Sequence, residues 1–136
     1  MAGAAAGIWE SFRSERFDPF LLWRVVGEDM QLLSQVVHLF ASEYPSMLRD
    51  IENAARAQDG VALRKASHKL KGSLLQFAAP VAVSAAAELE HCADSGGMEK
   101  APACIEAVKK ETDFLIQVLQ VMVSHQGTDA KPGRES

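Results

Sequence analysis

A chain of 136 residues, 48% apolar and 24% charged, is long enough for one hydrophobic core and has the make-up of an ordinary globular domain. Its formal net charge of −4 argues against a general nucleic-acid binder, and its two cysteines, Cys92 and Cys104, argue against a disulfide framework and favour a reducing cytoplasm. The start, MAGAAAG, has neither the basic nor the leucine-rich part of a secretory signal, and the longest uncharged run, 72–87, is broken by Pro80 and too short to span a bilayer, so no membrane association is expected.

Residues 1–16 carry little pattern and are expected to be poorly ordered. Asp18 and Pro19 then read as a helix start, aspartate capping and proline in first position, for a short apolar helix that ends at Gly27. A long helix follows. Met30, Leu33, Val37, Phe40, Tyr44, Leu48, Ile51 and Ala55 form one apolar stripe along it, and Pro45 inside it should bend it. Gln58, Asp59 and Gly60 make a break, with Asp59 capping a helix that runs to about Ala79. Pro80 opens the next, which closes at Ser95, Gly96 and Gly97. The last starts near Glu99 or Lys100 and runs to about His125, with Ile105, Val108, Leu115, Leu119 and Met122 inward; residues 126–136 read as a disordered tail. No strand alternation or fixed-period repeat occurs. The expected architecture is all-α: an antiparallel up-down-up-down four-helix bundle over 17–125 with a short extra helix in front.

The helix after Asp59 holds the chemistry. On a helical wheel Leu63, Ala66, Leu70, Ser73, Leu74 and Phe77 share one sector, which should be the buried one, and His68 falls about 170° from its centre. A histidine satisfied inside the core therefore fits poorly. Gly72 lies one turn beyond His68, where glycine costs about 1 kcal/mol relative to alanine, and an open approach to the imidazole would explain it. Leu75 and Ala79 continue that line as an apolar strip. Arg64, Lys65, Lys69 and Lys71 are the four cations between Gly60 and Ala87, a stretch with no acid. Such a cluster is often just a solvated basic face. Beside a lone histidine it suits a phosphoryl group, which brings about two negative charges near neutral pH.

The run SHKLKGSLLQFAA resembles the signature of the histidine-containing phosphotransfer (HPt) domain family: histidine, two residues, lysine, glycine, serine or alanine, then an apolar residue and usually a glycine. His68, Lys71, Gly72, Ser73 and Phe77 match it, and the similarity extends over roughly 17–122, including the proline within the long helix. Ser67 stands where the family usually has alanine, and Ala78 where it usually has glycine. The resemblance implies a phosphocarrier without a nucleotide site. His68 would take a phosphoryl group from a receiver-domain aspartate and pass it to another receiver, and Lys71 would offset the charge on the phosphoryl oxygens. Gly72, Leu75 and Ala79, with Arg64, Lys65 and Lys69 at the rim, would receive the partner. The expected partners are response-regulator receiver domains, with a hybrid sensor histidine kinase upstream. No cofactor is expected on this chain, the Mg2+ belonging to the receiver. A polar residue of the following helix near the phosphate is a further family feature, which the sequence leaves unassigned.

Two other readings compete. A bundle that only binds partners would keep the exposed Leu75 but have no use for His68. A metal-binding bundle could use Glu88 and His91, a Glu-x-x-His pair beside Cys92, but that pair occurs once where a di-iron bundle needs two. His38 and His125 have no companion at ligand spacing.

Overall fold

The computed structural model describes residues 4–124. Within them the chain is helical: α1 (Ala4–Phe12), α2 (Pro19–Val25), α3 (Met30–Arg56), α4 (Gly60–Leu74), α5 (Pro80–Asp94) and α6 (Ala101–Ser124), with 3-10 turns at Leu75–Phe77 and Met98–Lys100. The tail expected at 126–136, and His125, lie outside the described residues.

Local chemistry sets the helix starts. Asp18 accepts from the backbone N–H groups of Phe20 and Leu21 at 3.1 Å each, and Pro19 follows in first position, where its missing N–H leaves nothing unpaired. Asp29 and Asp59 cap α3 and α4 in the same way, through Leu32 at 3.1 Å and Ala62 at 3.0 Å. Pro80 heads α5. Gly27 (φ +71°) turns the chain after α2 with a left-handed backbone that glycine adopts freely.

The four long helices close a ring: α3 packs on α4 and α6, and α5 packs on the same two. α3 passes through Pro45 as one unbroken helix. Its buried residues are Met30, Leu33, Val37, Phe40, Tyr44, Met47, Ile51 and Ala54. Past Pro45 the buried positions are therefore Met47 and Ala54, not Leu48 and Ala55, which stand half-buried alongside. Alternating steps of three and four keep the seam facing its neighbours along the whole helix, whereas a wheel of 3.6 residues per turn drifts about one position over that length. On α6 the five expected inward residues are all buried, joined by Ala101, Thr112 and Val118.

The N-terminal segment departs from expectation. Instead of an unpatterned stretch, α1 forms there and buries Trp9 completely, edge-on to Trp23 with ring centroids 5.4 Å apart. The bundle is thus preceded by two short helices. Arg16 ties the segment to α6, bonding Glu111 at 2.8 Å with its guanidinium 3.6 Å from the Phe114 ring centroid. One aromatic anchor produces no periodicity, so a pattern search passes over it.

The end of α4 also differs. The α-helix stops at Leu74, a 3-10 turn carries Phe77 into the core 5.0 Å from Phe40, and Ala78 adopts φ +55°, ψ +43°. This is the position where the resembled signature has glycine. A left-handed alanine is strained by roughly 1–2 kcal/mol. Replacing it also restores freedom to the unfolded chain and removes a half-buried methyl. Ala78→Gly is therefore expected to stabilise the protein by about 0.5–1 kcal/mol, read as a higher urea midpoint with unchanged slope.

Candidate functional site

The seam of α4 is Leu63, Ser67, Leu70 and Leu74, all fully buried. Ser67 takes the place expected for Ala66 and Ser73, which are half-buried on the side towards α3. Its hydroxyl donates to the carbonyl of Leu63 one turn back, so a polar side chain is satisfied inside the core. With this seam as reference, His68 points about 130° away rather than about 170°, leaning towards α5. It remains a surface residue, its side chain 66% exposed.

That lean brings in a residue the sequence reading lacked. Glu90 of α5 reaches over so that Oε2 lies 2.8 Å from His68 Nδ1 and Oε1 lies 2.7 Å from Lys71 Nζ. One carboxylate therefore holds both side chains that the motif reading had singled out. Four residues further along each helix, in opposite directions, Arg64 Nε stands 4.0 Å from Asp94 Oδ1. The two pairs define an antiparallel contact with a basic edge on α4 and an acidic edge on α5. Charge complementarity between those edges was the signal available in the sequence.

Lys71's hydrogen bond above all, with a further one from His68, holds the Glu90 carboxyl below the usual carboxylate range against the opposing effect of burial. The carboxylate is thus ionised throughout the neutral range. Facing an ionised acceptor, Nδ1 carries a proton and donates it, which leaves the lone pair of a neutral imidazole on Nε2. The sign of the linkage follows from the lowered folded-state pKa. The Glu90 contribution to stability is complete above the unfolded-state pKa and is lost as pH falls through the lower folded-state value. Urea midpoints of wild type and Glu90→Gln should accordingly converge once the solution is acid enough to protonate Glu90 in the folded protein, and be fully separated above the ordinary glutamate range.

The other expected residues divide. Gly72 is on the outermost line of α4, and a Cβ built there would meet nothing within 4 Å. Leu75 is 62% exposed. Lys65 and Lys69 are exposed but face a hollow shared with Asp50 and Asn53 of α3, on the far side of α4 from Glu90. Arg64 and Lys71 border a second hollow with Glu90, His91 and Asp94. Ala79 does not belong to an exposed strip: it is 2% exposed, because the left-handed turn at Ala78 ends the helical line and tucks the residue under the start of α5. The basic ring expected around His68 is likewise partly neutralised, since Lys71 and Arg64 have acidic neighbours.

His91 is exposed on α5, and Glu88 and Cys92 border a hollow beside it. Among the described residues no three His, Cys, Asp or Glu side chains come together to hold a metal ion. No helix among them is long and apolar enough to cross a membrane.

The helical domain thus presents the His68 imidazole to solvent with one ring nitrogen held by a carboxylate. The family model of the Hpt domain matches residues 35–120, more than half of the chain, and the protein belongs to that family, the histidine phosphotransfer modules of two-component phosphorelays, which are phosphocarriers that work with receiver domains. No curated protein and no solved structure gives a significant match.

Proposed function

We propose that His68 is the phosphoacceptor. In this reading it takes a phosphoryl group on Nε2 from the aspartyl phosphate of one receiver domain and yields it to the aspartate of another, in the cytoplasm. The upstream donor is proposed to be a hybrid sensor histidine kinase. The observation that carries the reading is the Glu90 bond to Nδ1, which leaves Nε2 as the nucleophile on an open surface, in a chain of the Hpt family.

The step needs little from this chain beyond placement and charge. The Nε2 lone pair attacks phosphorus in line with the departing aspartate oxygen; the N–P bond forms as the P–O bond breaks, and the receiver keeps a free carboxylate. Positive charge that develops on the imidazole is offset by Glu90 through Nδ1–H, as a carboxylate does for a histidine base. Lys71 lies one turn along from His68, held by Glu90, and the new phosphoryl oxygens offer it a second anion. Gly72 leaves room for the receiver's loops and Leu75 gives an apolar contact, with Arg64, Lys65 and Lys69 at the rim. The Mg2+ ion would sit in the receiver's acidic pocket. An up-down-up-down order of the four long helices is part of the same proposal, supported by the antiparallel α4–α5 pairs and the short connections between successive helices.

The test is incubation of the chain with a receiver domain phosphorylated on aspartate. Label that appears on the chain and is lost in acid but kept in base supports a phosphohistidine. A chain that stays unlabelled with receivers competent towards another Hpt domain would instead favour a module that only binds. Glu90→Ala should slow labelling at least tenfold, the scale on which carboxylate partners of histidine matter at other sites, and Lys71→Ala by a similar factor, both measured as single-turnover rates.

A further inference from the structure

The hollow beside His91, about 340 Å3, lies at the other edge of α5, where α5 turns into α6. Both cysteines of the chain line it, Cys92 from α5 and Cys104 from α6. Neither is bonded to another cysteine. The phosphotransfer reading uses neither.

Two bonds from the connecting turn hold Cys92. Its Sγ donates to the carbonyl of Gly97 at 2.6 Å, and the Gly97 N–H donates to the Cys92 carbonyl at 3.0 Å. Cys92 is buried, while Cys104 is partly open to the hollow. Burial above all, and then Cys92, raise the Cys104 thiol, so the two side chains that share this hollow lie within electrostatic reach of each other. They sit on different helices, Cys92 buried and Cys104 more open to solvent.

We infer that Cys92 and Cys104 form a dithiol site for a two-electron oxidant such as a hydroperoxide, which closes a disulfide between α5 and α6. The Cys104 thiolate attacks the peroxide oxygen, giving a sulfenic acid and releasing water after protonation. The Cys92 thiol then attacks that sulfur and expels the hydroxyl as a second water. The two thiols together lose two electrons and two protons, and one hydrogen peroxide becomes two waters. The buried partner acts as the resolving thiol because only its neighbour meets the oxidant first.

The site is a slow one at neutral pH. Burial and the presence of Cys92 push the Cys104 thiol up, and Glu88 of α5 adds to this while Lys100 of the turn opposes it. His91 and Glu99 line the same hollow. Thiolate therefore accumulates only at a more alkaline pH than an ordinary cysteine requires, so closure should accelerate as the pH is raised. Glu90 and Cys92, two residues apart on α5, point to opposite sides of it at about 200°, so the cross-link leaves the His68 surface alone.

The full chain would be treated with excess hydrogen peroxide at a series of pH values and analysed by non-reducing intact mass and thiol titration. The expected product is a monomer lighter by about 2 Da, both thiols lost together and both restored by dithiothreitol. Cys92→Ala should stop at a Cys104 sulfenic acid that a dione probe captures, and Cys104→Ser should leave Cys92 unmodified. Disulfide-linked dimers as the main product, addition of about 16 or 32 Da without loss of the second thiol, or two intact thiols after prolonged alkaline treatment would each overturn the inference. The readout is independent of phosphoryl transfer, so it succeeds or fails separately from the assignment of His68.

Discussion

His68→Gln is expected to accept no phosphoryl group from a receiver while unfolding at nearly the wild-type urea concentration. Glutamine keeps a polar side chain of similar reach but has no nitrogen lone pair able to form the N–P bond, so the rate should fall below detection. Stability should hardly move. The imidazole is 66% exposed and its seam neighbours Leu63, Ser67, Leu70 and Leu74 carry the packing. The contact it gives up, with Glu90, joins a partly exposed carboxylate to a solvated ring, and exposed pairs of this kind are worth at most about 1 kcal/mol. Acid-labile label on the variant would show that another residue accepts the phosphoryl group. His91 and His38 are the exposed alternatives among the described residues. A large loss of stability with loss of label would mean that His68 matters to the fold.

Gly72→Gln should move stability and transfer in opposite directions. Glycine inside an exposed helix is worse than glutamine by roughly 0.5–1 kcal/mol, and a Cβ at this position meets nothing within 4 Å, so the variant should melt a few degrees higher. The same side chain stands one turn from His68 on the outermost line of α4, where a receiver must approach for in-line attack. A misplacement of about 1 Å in such a complex costs on the order of a hundredfold in rate, and transfer from a receiver should drop by about that factor. Labelling by a small phosphodonor such as phosphoramidate needs no docking and should be unchanged. If both routes slow equally, Gly72 acts on the imidazole rather than on access. If neither slows, the partner approaches from another side.

The elements legible in the sequence were those set by neighbours along the chain. Asp18, Asp59 and Pro80 announce helix starts because capping and the missing proline N–H are satisfied within one turn. The stripe from Met30 to Ile51 and the inward face of α6 could be read because burial on one side of a helix imposes a period on the sequence. His68, Lys71 and Gly72 stood out for the same reason, as side chains on one helix whose spacing alone places them together. What depends on a second helix was not available there. Glu90 meets His68 only because α5 returns antiparallel to α4 in one register, and that register also gives Lys71 an acidic partner instead of leaving it free. Ala79 is buried and Ala78 left-handed because the chain must turn under α5, which no wheel extended past Leu74 can foresee. Trp9 is buried by α2 and α6 through one large side chain, with no repeat to betray it. Periodicity and caps record interactions within a helix, so the sequence settled where the long helices start and that His68 faces out. Which carboxylate holds that histidine depends on packing between helices, and only the tertiary structure decided it.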